Sequence, residues 1–316
     1  MTLITRLSTA FTDATLPILE RDPVIPAAGA RILLDFKNSG TWNQSDATIG
    51  KTDPIYSLTR NNVPDGTSPG LVYRGNSTVD GATDLATMNY NAATGRVTFP
   101  TGDATAGAIE SARYLEKNGE FYIIDDLTAG YCMSLWVYID ISGTSSPSLL
   151  TDMMYGDDNS RRGIFAFYSS GTKKVGIGKP SRVGFPIDAS TTQTVRTDNV
   201  YQGPAITQSG VYRIGYAWYK VSGAWKLRTV WNNAINAESN MYGFGTTGYD
   251  AGQATHDGAR DPNRNWGIGK RFSLTPTLWG TPHGLYRLYV ENLSVSGRTA
   301  EEVWDADWAR GNGRFS

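Results

Sequence analysis

Residues 131–140, YCMSLWVYID, alternate between two sets of side chains. Successive side chains of an extended strand point to opposite faces, so every second residue shares a face. One set is apolar throughout and consists of Tyr131, Met133, Leu135, Val137 and Ile139. The pattern therefore predicts a β-strand with one face in a core.

A β-hairpin is predicted over residues 210–233, GVYRIGYAWYKVSGAWKLRTVWNN. Alternation runs up to Ser222 and Gly223, which form the turn, and resumes at Trp225. Residues 161–178 predict another hairpin. Further strands are predicted at 30–36, 265–272 and 284–297, the last with Tyr286, Leu288 and Val290 on one face.

The composition favours the same fold class. The 35 glycines, 17 tyrosines and 9 tryptophans suit short strands joined by many turns. Helical patterns are not interleaved with the strands. We therefore predict an all-β protein, an antiparallel two-sheet jelly-roll sandwich with an N-terminal arm and a short C-terminal helix. The first and last strands are expected to pair, with arm and helix at one edge.

The C-terminal helix is predicted over about residues 299–309. Thr299 and Glu302 match a capping box, and Gly311 and Gly313 are stop signals. Since the nearby acids would fall on this helix, they are expected on its cap and its solvated face rather than in an active site. These acids are Glu301, Glu302, Asp305 and Asp307. Glu291 is expected on the strand face opposite Leu288 and Val290.

Residues 1–30 are predicted to form a docking arm, and residues 31–316 one sandwich domain. Apolar residues at helical spacing begin the arm, and Pro23 and Pro26 keep its end extended. The arm can bury its apolar side chains only against something else, either its own domain or a neighbouring subunit or larger assembly. The residues assigned to it are Leu3, Leu7, Phe11, Leu16, Ile18 and Leu19.

The charge pattern excludes some partners. Lys and Arg number 29 against 30 Asp and Glu, for a net charge of −1, so a nucleic-acid partner is not expected.

No segment approaches 18 consecutive apolar residues, and the start lacks a secretion signal. We therefore expect no membrane insertion, and we expect synthesis in a cytoplasm. The single cysteine, Cys132, is expected to be a small buried hydrophobe.

The ordered set of strands resembles the concanavalin A-like, or laminin-G/pentraxin-like, jelly roll. SLWVYI is followed by RGIFAFYSSGTKKVGIG, by GVYRIGYAWYKVSGAWKLRTVWNNAI and finally by YRLYVENLSVSGRTAEEV. The resemblance covers roughly residues 131–310 and concerns the fold more than any activity.

The closing YVENLSVSGRT, together with the arm, is similar to jelly-roll domains of tailed-phage virion proteins. This resemblance implies a structural component of the virion, made in the host cytoplasm, as a tail, baseplate or fibre protein or a capsid decoration. Its partners would be other virion proteins, further copies of itself in a homo-oligomer, and host surface glycans.

Catalytic residues are scarce in the sequence. Glycosidases on this jelly roll carry a Glu-x-Asp-x-x-Glu strand, because two carboxylates must flank the scissile bond, and this chain has no such strand. With only His256 and His283, there is little material for a Ser-His-acid triad or a multi-histidine metal site. We therefore do not expect an enzyme.

The loop-rich region 241–284 offers candidate binding residues of two kinds. Calcium is the one cofactor considered, because Asp257, Asp261 and Asn263 could supply three oxygen ligands; ordinary turn chemistry is the alternative. Aromatic faces stack on sugar rings, and the region 241–284 contains several Trp and Tyr residues; filling of a core or an interface is the alternative for them. The carbohydrate-binding candidates are Trp266, Trp279, Tyr242 and Tyr249. Two other hypotheses remain beside the virion protein: a soluble carbohydrate-binding lectin, and a polysaccharide hydrolase or lyase.

Overall fold

The structure is a computed structural model. It describes residues 22–26, 28–50, 53–59, 70–73, 88–98, 109–111, 129–142, 148–152, 165–169, 173–178, 200–240, 267–268 and 283–315.

The described strands form two antiparallel sheets. The first sheet comprises β1 (Ala30–Asp35), β2 (Thr48–Ile49), β5 (Met88–Asn91), β6 (Arg96–Thr98), β8 (Tyr131–Ile139), β13 (Gly210–Val221), β14 (Ala224–Trp231), β15 (Ala234–Ile235), β16 (Ser239–Asn240) and β18 (His283–Asn292). The second comprises β3 (Pro54–Tyr56), β4 (Gly70–Tyr73), β7 (Ile109–Ser111), β9 (Ser148–Asp152), β10 (Phe165–Ser169), β11 (Lys174–Gly178), β12 (Val200–Ala205) and β17 (Gly267–Ile268). Two helices follow the last strand, α1 (Leu293–Ser296) and α2 (Ala300–Gly311). The predicted all-β fold with a short C-terminal helix is confirmed.

Strand β18 lies in the interior of the first sheet. It pairs with β8 along one side and with β1 and β6 along the other. The pairing of β1 with β18 confirms that the first and last strands are neighbours.

The predicted hairpins are present. Strands β13 and β14 pair from Ile214↔Trp231 to Val221↔Ala224. The turn residues Ser222 and Gly223 have φ values of 51° and 81°, and positive φ at both central residues is the mark of a type I′ turn. The second hairpin pairs β10 with β11.

The main hydrophobic core lies between the two sheets. It joins residues of the first sheet to Ile55 of β3 and Val175 of β11, so the sheets pack face to face. All five β8 residues predicted for the core belong to it: Tyr131, Met133, Leu135, Val137 and Ile139.

The opposite face of β8 is also buried, because α2 lies across it. Cys132 clusters with Val303 and Trp304 of the helix, and the indole Nε1 of Trp304 donates to the Met133 carbonyl at 3.0 Å. The helix therefore covers the outer face of the first sheet, and its expected position at a sheet edge is wrong. The physical reason is that this outer face carries apolar side chains, and packing against α2 removes them from water.

An irregularity in β18 changes one predicted face. Its register with β8 shifts between Leu285 and Arg287. Leu285 and Leu288 both lie in the core between the sheets, whereas Tyr286 packs with Trp136 and Phe315 on the outer face. The prediction that Tyr286 shares a face with Leu288 and Val290 is wrong, because an extra residue in a strand reverses the alternation.

The capping box at the start of α2 is present as predicted. Thr299 Oγ1 accepts from the Glu302 amide at 3.2 Å, and the Thr299 amide donates to the Glu302 carboxylate at 2.8 Å. The helix runs to Gly311, slightly beyond its predicted end. Within the described part of the chain, no helix has the length and apolar character to cross a membrane.

Candidate functional site

Arg287 lies at the centre of a buried charge cluster between the first sheet and α2. Its Nη1 is 2.8 Å from Asp22 Oδ2 and 2.7 Å from Asp35 Oδ2, and its Nε is 2.7 Å from Asp307 Oδ1. Its Nη2 donates to Asp22 Oδ1 at 3.1 Å, so the contact with Asp22 is bidentate. All four side chains are buried. Each buried charge thus has a direct partner, without which its desolvation would be prohibitive.

Four segments of the chain meet in this cluster. Asp35 ends β1, Arg287 lies in β18 just after the register shift, and Asp307 lies in α2. Asp22 begins residues 22–26, which we call the N-terminal strap. The cluster therefore joins the strap, two strands and the helix at one point.

The prediction that the acids of the C-terminal helix are solvated is wrong for Asp307. Its side chain is fully buried, and beside Arg287 it accepts from Ser134 Oγ at 2.5 Å and from Trp136 Nε1 at 2.7 Å. Asp305 and Glu302 on the same helix are exposed, as predicted. The difference arises because Asp307 is on the side of α2 that faces β8 and β18.

Two further arginines surround the cluster at its rim. Arg314 pairs with Asp35, and Arg310 Nε lies 3.4 Å from Asp22 Oδ2. Both arginine side chains are partly exposed, at 22% and 35%. The three carboxylates of Asp22, Asp35 and Asp307 are therefore balanced by the three guanidinium groups of Arg287, Arg310 and Arg314.

The electrostatics of the cluster favour its charged form. Burial alone would raise the pKa of Asp22, but the hydrogen bonds and charge of Arg287 hold that pKa below its ordinary value. Burial opposes the charge of Arg287 in the same way, and the neighbouring carboxylates of Asp307, Asp22 and Asp35 raise the pKa of Arg287 above its ordinary value. Both groups are ionised at neutral pH.

A second ion pair, partly buried, also holds the strap. Arg298 Nε is 3.0 Å from Glu291 Oε1, and its Nη2 donates to the Val24 carbonyl at 2.6 Å. Tyr289 donates its hydroxyl to Glu291. Burial, together with the charge of Glu291, raises the pKa of Tyr289. Glu291 is on the face opposite Leu288 and Val290, as predicted, and is buried there.

Arg213 fastens the helix to β13. It is buried, donates through Nε to the Asn232 carbonyl at 2.6 Å and through Nη1 to the Trp304 carbonyl, and its guanidinium lies 4.9 Å from the centre of the Trp308 ring. Burial lowers the pKa of Arg213 to about 10, which leaves it charged at neutral pH.

These contacts decide what the cluster can do chemically. A general acid or base needs a carboxyl group that reaches the substrate. Asp22, Asp35 and Asp307 are instead buried in ion pairs with arginine. Among the residues the structure describes, no group of three or more His, Cys, Asp or Glu is arranged to hold a metal ion.

The residues predicted for binding lie outside the described residues, and their predictions stay untested. They are Trp266, Trp279, Tyr242 and Tyr249 for sugar, Asp257, Asp261 and Asn263 for calcium, and Leu3, Leu7, Phe11, Leu16, Ile18 and Leu19 for the arm. Trp266 directly precedes β17, which lies between β9 and β7 in the second sheet.

Sequence reasoning missed the Arg287 cluster. One signal was available: Arg287 stands between apolar residues in YRLYV, and an arginine inside such a strand needs acidic partners if both faces are covered. The sequence does not say which acids these are, because Asp22 is 265 positions away in the chain.

Comparisons with known proteins found only distant structural similarity. No protein-family model matches the chain, and no curated protein matches it. Among solved structures, the binding domain of botulinum neurotoxin serotype D/C aligns with a TM-score of 0.43 and 8% identity, covering 85% of this chain and 53% of that chain. This chain thus spans about half the length of that toxin domain.

Two further neighbours are connected with sialidases. The CBM40 of Ruminococcus gnavus IT-sialidase aligns with a TM-score of 0.38 and 10% identity, over 62% of this chain and 91% of that one. Trypanosoma rangeli sialidase aligns with a TM-score of 0.46 and 10% identity, over 92% of this chain and 35% of that one. All three TM-scores are below 0.5, and all three identities are 10% or lower.

Proposed function

We propose that this protein is a non-enzymatic structural component, a β-sandwich anchored in a larger assembly through its N-terminal segment. The carrying observation is the contact between Asp22 and Arg287. Asp22 directly follows residues 1–21, and the bidentate ion pair fixes it to an interior strand of the first sheet. A segment attached at Asp22 would therefore be joined to the first sheet itself rather than to a surface loop.

The buried carboxylates support a role without catalysis. Glu291 and Asp307 stand near the C-terminal end, where the sequence raised the question of an active site. Both are buried and neutralised by arginine, Glu291 by Arg298 and Asp307 by Arg287. Such pairs specify how segments fit together.

The assembly we propose is a tailed-phage virion, with this protein in the tail, baseplate or fibre or as a capsid decoration. The support is the order of the sequence elements, an arm followed by a jelly-roll-like sandwich, together with the fixed attachment of the strap. The partners would be other virion proteins and further copies of this chain.

Deletion of residues 1–21 tests this proposal, because it leaves Asp22 and the whole cluster in place. We expect the shortened protein to keep the thermal midpoint of the full chain but to be lost from purified particles. The full chain carrying Asp305→Ala, an exposed change on α2, is the control and should be incorporated normally. Normal incorporation of the deletion variant would overturn the proposal.

A carbohydrate-binding lectin is the second candidate function. The observation in its favour is the position of Trp266, one residue before a strand in the interior of the second sheet. Aromatic side chains line many ligand sites, so Trp266 is a candidate for stacking on a sugar ring.

A glycan array with the full chain tests this candidate. Binding that is lost in Trp266→Ala or Trp279→Ala, and kept in Tyr56→Ala, would support it. Tyr56 is a suitable control because it is an exposed aromatic residue on β3, at the end of the second sheet. An array without binding would argue against a lectin and leave the anchoring proposal intact.

A further inference from the structure

Two arginines on the outer face of the first sheet, Arg96 and Arg213, have no carboxylate partner among the described residues. Arg287, Arg310 and Arg314 on the same face are each paired with an aspartate. One nitrogen of each unpaired arginine, Arg96 Nε and Arg213 Nη2, is also buried without a hydrogen-bond partner. Arg213 is fully buried, whereas Arg96 is partly exposed, so Arg96 is the arginine that a ligand can reach. Guanidinium groups in this state favour an anionic partner.

Arg96 is held over the ring of Tyr138. Its guanidinium carbon lies 4.5 Å from the centre of that ring. Gly284 lies between their strands, paired with Tyr138 on one side and with Thr98 on the other. A Cβ on Gly284 would be 2.5 Å from Arg96 Cδ, so the Arg96 side chain crosses the space that a larger residue would fill. The guanidinium is therefore positioned in advance, which reduces the entropy lost when it binds an anion.

The nearest polar groups leave the charge of Arg96 uncompensated. Burial raises the pKa of Tyr286, and the positive charge of Arg96, together with a hydrogen bond between the two side chains, opposes that rise. Asp140, which directly follows β8, does not neutralise Arg96, because its carboxylate accepts from Ser142 and Ser209. Arg96 thus has a neutral hydroxyl beside it rather than a carboxylate.

A partly exposed apolar strip lies beside this guanidinium. Tyr138 of β8 pairs with Val211 of β13, and both side chains are partly exposed. They pack against the buried aromatic residues of the outer face, as does Trp308 of α2, which is also partly exposed. A ligand held by Arg96 would therefore meet an apolar surface as well as a positive charge.

We propose that Arg96, Tyr138 and Val211 bind an acidic sugar unit, a pyranose ring that carries a carboxylate or a sulfate group. The guanidinium of Arg96 would hold the anionic group, and the apolar strip would contact the carbon face of the ring. The chain's net charge of −1 gives no field for a polyphosphate, so a nucleic acid is not the ligand. This site goes beyond both functions proposed above, since it involves neither residues 1–21 nor Trp266.

Calorimetric titration of the full chain with four probes tests the ligand class. Alginate oligosaccharides carry only carboxylates, dextran sulfate carries only sulfates, dextran is neutral, and polyglutamate is an anion without a sugar. We expect one or both acidic sugars to bind, dextran not to bind, and polyglutamate to bind more weakly. The two acidic probes show which anionic group is preferred. Absence of binding to both would overturn the proposal, and equal binding of polyglutamate would replace the sugar with an acidic peptide.

Three variants test the position of the site. Arg96→Gln should weaken binding about 10–100-fold, the loss expected when a hydrogen bond to a charged group is removed. Gly284→Ala keeps Arg96 but displaces its side chain, so it should weaken binding as well. Lys173→Gln is the control, because it removes one positive charge from an exposed turn beside β11 of the second sheet. An equal loss in this control would mean that net charge alone attracts the probes, which would overturn the site.

Arg96→Lys keeps the test decisive if Arg96→Gln does not fold. An amine retains the charge but cannot reproduce the planar contact of a guanidinium, so this variant should bind more weakly than the wild type at an unchanged thermal midpoint. Unchanged affinity would overturn the role of Arg96. Trp266→Ala should bind normally. Loss of binding in Trp266→Ala but not in Arg96→Gln would overturn this site and support the lectin candidate instead.

Discussion

The Nε of Arg287 lies 2.7 Å from Oδ1 of Asp307, and both side chains are completely buried. This ion pair fixes α2 against β18. Loss of the Asp307 carboxylate would deprive the buried Arg287 guanidinium of one of its negative partners. It would also remove the acceptor of the hydrogen bonds from Ser134 and Trp136. We therefore expect Asp307→Ala to lower the free energy of unfolding by about 3–5 kcal/mol.

Urea denaturation measures this loss, and Asp305→Ala is its matched control. Asp305 is exposed on the same helix, so its replacement should change stability by less than about 0.5 kcal/mol. Equal effects of the two substitutions would mean that the Arg287 cluster does not stabilise the fold.

The pH dependence of the free energy of unfolding should show the contribution of the Asp22 carboxylate. Its pKa is lowered in the folded protein, so its stabilising contribution is complete above the unfolded value of about 3.9 and is lost as the pH falls through the lower folded value. Asp22→Asn should therefore destabilise the protein at pH 7, and the difference from wild type should shrink below about pH 4. Urea midpoints measured from pH 7 to pH 3 test this. A constant difference over that range would contradict it, and the exposed Asp46→Asn serves as control.

The capping box of α2 should contribute measurably to the free energy of unfolding. Thr299→Ala removes the side-chain acceptor of the Glu302 amide and should cost about 1 kcal/mol of unfolding free energy. Thr299→Ser keeps the hydroxyl and should recover most of this loss. Thermal denaturation of the two variants decides the point, and equal midpoints would argue against the cap.

Gly215 should not tolerate a side chain. A Cβ there would lie 2.5 Å from Trp304 Nε1 and 2.8 Å from the Met133 carbonyl oxygen. We expect Gly215→Ala to cost about 1–3 kcal/mol, because the helix would be pushed from the sheet. Gly210→Ala on the same strand is the control, since the nearest atom to its Cβ would be 3.8 Å away. Chemical denaturation should separate the two variants.

Cys132 should report on unfolding. Its thiol is buried, and burial together with the charges of Glu291 and Asp307 raises its pKa, so the reactive thiolate is suppressed. We expect no alkylation by iodoacetamide in the native protein and rapid alkylation in urea. Intact-mass spectrometry measures both, and rapid native labelling would contradict the burial of this residue.

Local patterns in the sequence were enough to predict most strands of the first sheet, the hairpin turn and the helix cap. The predicted strand 284–297 was too long, because Leu293–Ser296 form α1 behind the Asn292 cap. Alternation over residues 131–140 correctly divided β8 into two faces, since side-chain direction in a regular strand depends only on position. Thr299 and Glu302 identified the helix start because both partners of a capping box are three residues apart.

The same local rules failed where distant segments meet. Tyr286 is on the outer face because the register shift beside it arises from the pairing of β18 with its neighbours. Asp307 is buried because α2 lies across the outer face of the first sheet, whereas the helix sequence alone is compatible with a solvated aspartate. The candidate sugar and calcium residues remain predictions from the sequence.

The sequence by itself determined that this chain forms antiparallel strands, where its hairpin turns and where its last helix begins, because these depend on residues close together in the chain. Tertiary structure alone decided that Asp22, Asp35, Arg287 and Asp307 form one buried cluster. Such a cluster is stable only when all its charges are brought together, and Arg287 is separated from Asp22 by 265 positions and from Asp35 by 252.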